Sequence, residues 1–373
     1  MAKKMNTAIN PLIPFFQLLR LGLGTSSSTD LPASPEWKKI FDFARQQGLT
    51  AVMIDAFERL STEQRPPKQM LLAWIGLFMA MEHNYAKNTS NIASLASFYA
   101  RHGIKMLLFK GYACSLCWPV AAHRPTGDID IYLFGKQQEA DRLVAEELGI
   151  KVDFGYHKHS VFPFQGTEVE NHAVFIDDVT HKSNIRFEKT LMTVLAEESC
   201  VESPIKNVFF PPATFNALFL LRHTGEHFAS NEISLRHVID VGTFFEHYHA
   251  QVDWKRVFEV FGRERMLDFF NGIATICVDY LGMDTSIFGS SDGLYSFQRD
   301  SMLARRILHD IFEQKQVLPM STRGLDTMGK KFKYSVDKSL RWWHNRWKYR
   351  LVYNENLFES FWWLAKNRIK DIH

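Results

Sequence analysis

The chain has 373 residues, of which 46% are hydrophobic and 23% are charged. This composition is typical of folded globular proteins and excludes a largely disordered chain. The net charge of +3 gives no global reason to expect a nucleic-acid partner. The four cysteines are too few for a disulfide scaffold, which favours a reducing cytoplasm.

The first 102 residues are expected to be helical and carry no recognisable chemistry. Apolar residues recur at helical spacing over residues 8–23, 35–47, 50–60 and about 68–102. Ser34 followed by Pro35 is typical of a helix start. The apolar stretch near the N-terminus is interrupted by Arg20 and lacks a small-residue cleavage site, so we expect neither a signal peptide nor a spanning helix.

The stretch Ile104–Leu133 carries the first candidate site. An apolar run stops at Lys110-Gly111, a short helical piece follows, and the segment Asp128-Ile129-Asp130 opens an extended run. Side chains alternate along a strand, so Asp128 and Asp130 project to the same face. Two neighbouring carboxylates repel each other unless a cation lies between them, and Mg²⁺ prefers such oxygen ligands.

A third carboxylate follows on a predicted hairpin. Residues 154–164 and 167–176 read as two strands that turn at Gln165-Gly166. Glu170 lies in the middle of the second strand and is the preferred third ligand, with Glu168 as the alternative. Three such carboxylates match a two-metal site for phosphoryl transfer, and a glycine turn allows the backbone to approach phosphate groups.

These motifs resemble a known superfamily. Lys110-Gly111, Arg124, Gly127-Asp128-Ile129-Asp130 and Val169-Glu170-Asn171-His172 are similar to motifs of the DNA polymerase β-like nucleotidyltransferases, most of all the branch of bacterial uncharacterised nucleotidyltransferases. The resemblance covers about residues 10–285. It implies an α+β fold, in which a small mixed sheet forms the core and helical regions flank it on both sides.

The resemblance also implies the reaction and its residues. Mg²⁺ would be held by Asp128, Asp130 and Glu170, which are the implied catalytic residues. The nucleotide would be bound by Lys110, Gly111, Ser115 and Arg124. Ser115 is included because Tyr112 stands where the superfamily usually has Ser or Gly.

The implied reaction transfers a nucleoside monophosphate from an NTP, with ATP favoured, to an acceptor hydroxyl and releases pyrophosphate. The sequence does not identify the acceptor, and a sugar or other small-molecule hydroxyl is favoured over a protein or nucleic acid.

From residue 212 the chain is expected to be helical again. Predicted helices cover residues 213–228, 234–249, 254–261, 266–281 and 297–314. We therefore expect four regions: residues 1–102, the core at 103–205, a helical domain at 206–320 and a tail at 321–373. Within the helical domain, Arg236 and Asp240 are spaced for an ion pair, and His227 suits a structural or acceptor-site role.

Two further motifs suggest metals but lack the necessary partners. Cys114 and Cys117 have no second cysteine pair to complete a tetrahedral site, so we expect them to be buried structural residues. His223 and His227 are four apart, but the glutamate between them directly precedes the second histidine instead of following the first. His157, His159 and His172 lie near the acids and can contact substrate, but are not expected to be metal ligands.

The tail is basic and rich in tryptophan. Between Lys330 and Arg350 it has eight basic residues and one acid, interleaved with Trp342, Trp343 and Trp347. Three interpretations remain open: packing of the aromatics on the body, contact with an anionic membrane surface, or binding of an anionic polymer. The alternative to an enzyme is a non-catalytic binding or membrane-surface assembly protein with the same fold. We expect a cytoplasmic protein, either free or peripheral to the inner face of the membrane.

Overall fold

The computed structural model describes residues 12–32, 35–177, 181–230, 233–313, 343 and 345–356. Its α-helices are α1 Leu12–Leu23, α2 Trp37–Gln47, α3 Thr50–Glu58, α4 Lys68–Arg101, α5 Gly111–Ser115, α6 Gln137–Leu148, α7 Lys182–Glu197, α8 Ala213–Ser230, α9 Leu235–Tyr248, α10 Trp254–Glu264, α11 Leu267–Asp279 and α12 Ser301–Phe312. Short 3₁₀ helices cover Thr62–Gln64, Ala121–His123, His249–Gln251 and Thr285–Phe288.

The sheet is mixed and has six strands among the described residues. These are β1 Met106–Leu108, β2 Ile129–Tyr132, β3 His159–Phe164, β4 Thr167–His172, β5 Val201–Glu202 and β6 Val208–Phe210. The strand order is β3-β4-β2-β1-β6-β5. The pairs β2/β4 and β1/β6 are parallel, and the other neighbours are antiparallel. The expected α+β fold is confirmed.

The two faces of the sheet belong to two different cores. Met106, Leu108, Ile129 and Ile131 face a core that includes apolar residues of α4 and α6. Leu107 and Tyr132 point the other way and join the larger core, which contains α8, α9 and α11. Because side chains alternate along β2, Asp130 shares the face of Tyr132 and is directed toward the C-terminal helices.

The hairpin forms where the sequence predicts it. Gln165 and Gly166 both have positive φ, 49° and 72°, as a tight two-residue turn requires. Both strands are shorter than predicted, because β3 begins at His159 and β4 ends at His172. Helix α7 and the strands β5 and β6 were not predicted. The predicted N-cap Ser34 lies outside the described residues, and helix α2 starts after Glu36.

Part of the tail packs on the body. Residues 345–352 are helical, and the Trp347 ring meets Phe228 edge-on at 5.3 Å. Lys348 is buried and forms an ion pair with Asp310. For these residues the interpretation that the tail packs its aromatics on the body applies. Trp342 and most of the basic residues of the tail lie outside the described part. No described helix combines the length and the apolar character that crossing a bilayer requires.

Candidate active site

Three carboxylates meet at one end of the sheet. Strands β2 and β4 run parallel with Asp130 opposite Glu170, and Asp128 directly precedes β2. One oxygen from each of Asp128, Asp130 and Glu170 lies within 4.8 Å of the others. The structure thus brings the three predicted ligands together. Glu168, the alternative, is exposed near the turn and is not in this cluster.

Lys110 neutralises one of these acids. Its ammonium is 2.7 Å from Asp130 Oδ1, and Asp130 is only 3% exposed. Burial alone would raise the pKa of Asp130, but Lys110 and His172 hold it below its usual range. The pKa of Asp128 is raised by burial and by the neighbouring carboxylates of Asp130 and Glu170. Negative charge therefore remains at the cluster after Lys110 has been counted.

Two histidines extend the carboxylate cluster along the hairpin. His172 Nε2 lies 3.0 Å from Asp130 Oδ1 and 3.1 Å from Glu170 Oε2. His159 Nδ1 lies 3.2 Å from the same Glu170 oxygen. Burial would raise the pKa of Glu170, but the His172 contact and nearby cations lower it. Burial, together with the cations around it, holds the pKa of His159 below its usual value.

The cluster opens into a cavity of about 390 Å³ between the sheet and helices α8 and α9. The size is typical of a small-ligand site. Most of the residues that line it are charged or polar, and they include the residues around the acids as well as side chains from both helices. The residues facing it are Lys110, Gly111, Cys114, Arg124, Pro125, Gly127, Asp128, Asp130, Tyr156, Lys158, His159, Glu170, Leu220, His223, Thr224, His227, Arg236, His237 and Asp240.

Arg124 lies at this cavity but is already paired. Its Nε and Nη2 donate to the two carboxylate oxygens of Asp240 at 2.8 and 2.9 Å, and Trp118 Nε1 donates to the same carboxylate at 2.8 Å. The expected pair between Arg236 and Asp240 is therefore wrong, because Arg124 from the loop before β2 occupies Asp240. Arg236 Nε is buried and has no hydrogen-bond partner among the described residues.

Lys158 is a cavity cation that the motifs did not reveal. It is 9% exposed, and its ammonium forms no hydrogen bond or ion pair within the described part of the chain. Burial lowers the pKa of Lys158, and the like charge of Lys110 adds to the effect. No sequence signal would have found it, since it precedes β3 and belongs to none of the family motifs.

Three histidines line the wall formed by α8 and α9. Burial lowers the pKa of His227 to about 4, with a further effect from Lys110 and Lys158. Burial and Arg236 lower the pKa of His237 to about 4, and the pKa of His223 is also well below its usual value because of burial. These imidazoles are neutral at pH 7. His223 and His237 were missed as site residues, although the i, i+4 spacing of His223 and His227 was the available signal.

In the turn before α5 the unusual backbone conformation lies at Lys110 and not at the glycine that the sequence suggests for it. Lys110 has a positive φ of 58°, whereas Gly111 does not have a positive φ. An unusual backbone conformation of this kind in a non-glycine residue costs about 1–3 kcal/mol and persists only where the surrounding structure holds it. Ser115 is fully buried, and its hydroxyl donates to Tyr112 O at 2.6 Å. The structure therefore does not bring Ser115 to the cavity. Tyr112 does not line the cavity either, and its ring stacks on that of Tyr85.

A larger cavity lies elsewhere, between α1 and α12. Its volume is about 640 Å³, and its lining is mainly apolar, including Leu12, Phe16 and Phe312. None of the predicted site residues reaches it. The polar cavity beside the carboxylates is therefore the candidate active site.

Comparison with known proteins agrees with this geometry. A family model described as "Uncharacterised nucleotidyltransferase" matches residues 33–282, which is more than half of the chain and includes the acids, the hairpin and the wall of α8 and α9. Neither the curated proteins nor the solved structures contain a match. Family membership supports nucleotidyl transfer in general as the activity. The chain belongs to this family of nucleotidyltransferases.

Proposed function

We propose that the protein is a Mg²⁺-dependent enzyme that transfers a nucleoside monophosphate from an NTP to an acceptor hydroxyl and releases pyrophosphate. The observation that carries this proposal is the carboxylate cluster of Asp128, Asp130 and Glu170 at the end of the sheet, facing a cavity with several cationic side chains.

The residues present fit a divalent ion. The three carboxylates carry three negative charges, and Lys110 offsets one of them at Asp130. The raised pKa of Asp128, caused by burial and by the other two acids, reflects the remaining repulsion. Asp128, Asp130 and Glu170 would hold Mg²⁺, which supplies Lewis-acid stabilisation of phosphate charge when bound.

The cations without partners favour a phosphate-binding role. Lys158 and Arg236 face the cavity, and each has a donor with no partner among the described residues. Because buried charges are costly unless they are paired, both side chains suit an anionic ligand such as a triphosphate. Lys110 lines the same cavity and forms an ion pair with Asp130. Arg124 supports this wall through Asp240, and Gly111 leaves space next to the phosphate-binding region.

The neutral histidines suit the recognition of an acceptor hydroxyl. A neutral imidazole has one donor and one acceptor, so His223 and His227 can both donate to and accept from a hydroxyl group. A cavity of about 390 Å³ also favours a small acceptor over a folded one. We therefore propose a sugar or other small-molecule hydroxyl as acceptor, with ATP as the first donor to test.

Calorimetry with Mg²⁺ and each of ATP, GTP, CTP and UTP tests the proposal. We expect one of them to bind the wild-type protein, and we expect the Asp130→Asn variant to lose at least about tenfold in affinity, because one charged metal ligand is removed. Glu168→Gln is the matched control, since Glu168 lies two residues from Glu170 but outside the cluster.

Two outcomes would contradict the proposal. If the wild-type protein bound none of the four nucleotides, the alternative of a non-catalytic protein with the same fold would be favoured. If Asp130→Asn bound as tightly as Glu168→Gln, the carboxylate cluster would not be the metal site. Pyrophosphate release in the presence of a panel of sugar and other hydroxyl acceptors then separates binding from catalysis.

A further inference from the structure

The hairpin places two imidazoles beside the third carboxylate. His159 on β3 is directly opposite His172 on β4, and Glu170 precedes His172 by two residues on the same face. One nitrogen of each histidine and one Glu170 oxygen all lie within 4.8 Å of one another. This second group shares Glu170 with the carboxylate cluster, but two of its three members are nitrogen donors.

The hydrogen bonds of His172 direct a nitrogen into this group. His172 Nδ1 lies 3.3 Å from the carbonyl oxygen of Val174, and since a carbonyl only accepts, Nδ1 carries the proton. Without a metal, Nε2 donates to Asp130 Oδ1 and Glu170 Oε2 at 3.0 and 3.1 Å, and a bound metal ion would take the place of that proton. A histidine that donates from one ring nitrogen to a backbone carbonyl is the usual arrangement for metal binding through the other.

His159 also has a ring nitrogen that a metal could bind. Its Nδ1 is buried and has no hydrogen-bond partner among the described residues, although Glu170 Oε2 is only 3.2 Å away. The distance is short, but the geometry is not that of a hydrogen bond. A buried polar nitrogen without a partner is costly, and a shared cation between it and Glu170 would remove that cost.

The rings themselves are held in place. The His172 ring is completely buried and meets Phe109 edge-on at 4.9 Å, and it meets the His159 ring at the same separation. The Tyr156 ring also meets the His159 ring edge-on at 5.1 Å. Nitrogen donors with fixed orientation are what a metal position requires, because little ordering is then needed on binding.

We propose that His159, Glu170 and His172 form a second metal position, which takes a divalent ion of the first transition row such as Mn²⁺ or Zn²⁺ in preference to Mg²⁺. Imidazole favours transition ions, whereas Mg²⁺ favours oxygen ligands. The inference rests on the proposed function for its role, which is to place a second ion next to the carboxylate cluster that Glu170 also serves. It revises the expectation that none of the hairpin histidines is a ligand.

The test uses Mn²⁺ as the probe, without nucleotide. Substoichiometric Mn²⁺ is added to the full-length protein in the presence of excess Mg²⁺, and electron spin-echo envelope modulation detects nitrogen ligands directly. We expect nitrogen modulation from imidazole in the wild-type protein. In His159→Gln the modulation should weaken, and the Mn²⁺ dissociation constant should rise by at least about tenfold. His159 is chosen because it is partly exposed and lies at the start of its strand.

His157→Gln is the matched control, because His157 lies two residues away on the same segment and contacts Asp177 instead. Its nitrogen modulation should equal that of the wild-type protein. Bound Mn²⁺ without nitrogen modulation, or no Mn²⁺ binding at all, would overturn the inference, and so would an unchanged signal in His159→Gln. If nitrogen modulation is present but no NTP binds, the proposed function fails while the metal position stands.

Discussion

The neutral histidines of the cavity wall give a prediction about acid stability. His227 has an ordinary pKa of 6.5 in an unfolded chain and a pKa of about 4 in the folded protein, because of burial and then Lys110 and Lys158. Between these two values the unfolded chain binds a proton that the folded protein does not. The contribution of His227 to stability is therefore complete above pH 6.5 and is lost as the pH falls through 4.

The size of the effect follows from the two pKa values. With one proton linked to unfolding, the loss at pH 5 relative to neutral pH is about 2 kcal/mol. His227 is only partly buried, and water in the cavity reduces the effect, so we expect about 1–2 kcal/mol. Replacing His227 with glutamine removes the titrating imidazole and puts a neutral amide of similar size in its place.

Urea unfolding at about pH 7.5 and pH 5 measures this difference. The free energy of unfolding of the wild-type protein should fall more between the two pH values than that of His227→Gln, by about 1–2 kcal/mol. His83→Gln, on helix α4 and away from the cavity, is a suitable control and should follow the wild-type protein. Equal pH dependence of the wild type and His227→Gln would refute the reasoning.

Three further substitutions test the cavity. Lys158→Met should weaken Mg²⁺-NTP binding in calorimetry by about tenfold or more, because a charge-assisted contact is lost, whereas exposed Lys151→Met should not. Asp240→Asn should lower the free energy of unfolding in urea by about 3 kcal/mol, since buried Arg124 loses its counter-charge; an unchanged value would mean the pair is dispensable. Gly111→Ala should change that free energy by less than about 0.5 kcal/mol, because a Cβ there meets only one backbone oxygen at 3.5 Å.

The carboxylate cluster could be predicted in two steps: alternation along a strand places Asp128 and Asp130 on one face, and the family resemblance implies Glu170 as the third ligand. Asp128 and Asp130 are two apart, and Glu170 lies centrally on a hairpin strand whose turn residues, Gln165 and Gly166, mark the register. The parallel pairing of β2 with β4, which places Asp130 opposite Glu170, then brings the acids together at one end of the sheet. The local pattern and the resemblance agree with the pairing that the structure has, so the prediction of these three residues succeeds.

Pairing between distant segments could not be predicted in the same way. Arg124 and Asp240 are 116 residues apart, and helical spacing favoured the local partner Arg236 instead. The prediction for Ser115 failed for a local reason, because its hydroxyl donates to the carbonyl oxygen of Tyr112 three residues earlier in the same short helix. Helix α7 was within reach, since Phe187, Leu191 and Val194 recur at helical spacing and are all buried.

These pairings change which cations are available to a phosphate. Arg124 already donates two hydrogen bonds to the buried carboxylate of Asp240. Breaking this pair would leave two buried charges without partners, so the role of Arg124 is to hold the cavity wall in place. Lys158 and Arg236 are in the opposite situation, because burial lowers the pKa of both and no described residue completes their contacts. An anion between them would reduce that cost. In the proposed reaction the family motif therefore marks the place where the nucleotide would bind, while the charges that would hold its phosphates come from residues outside the motif.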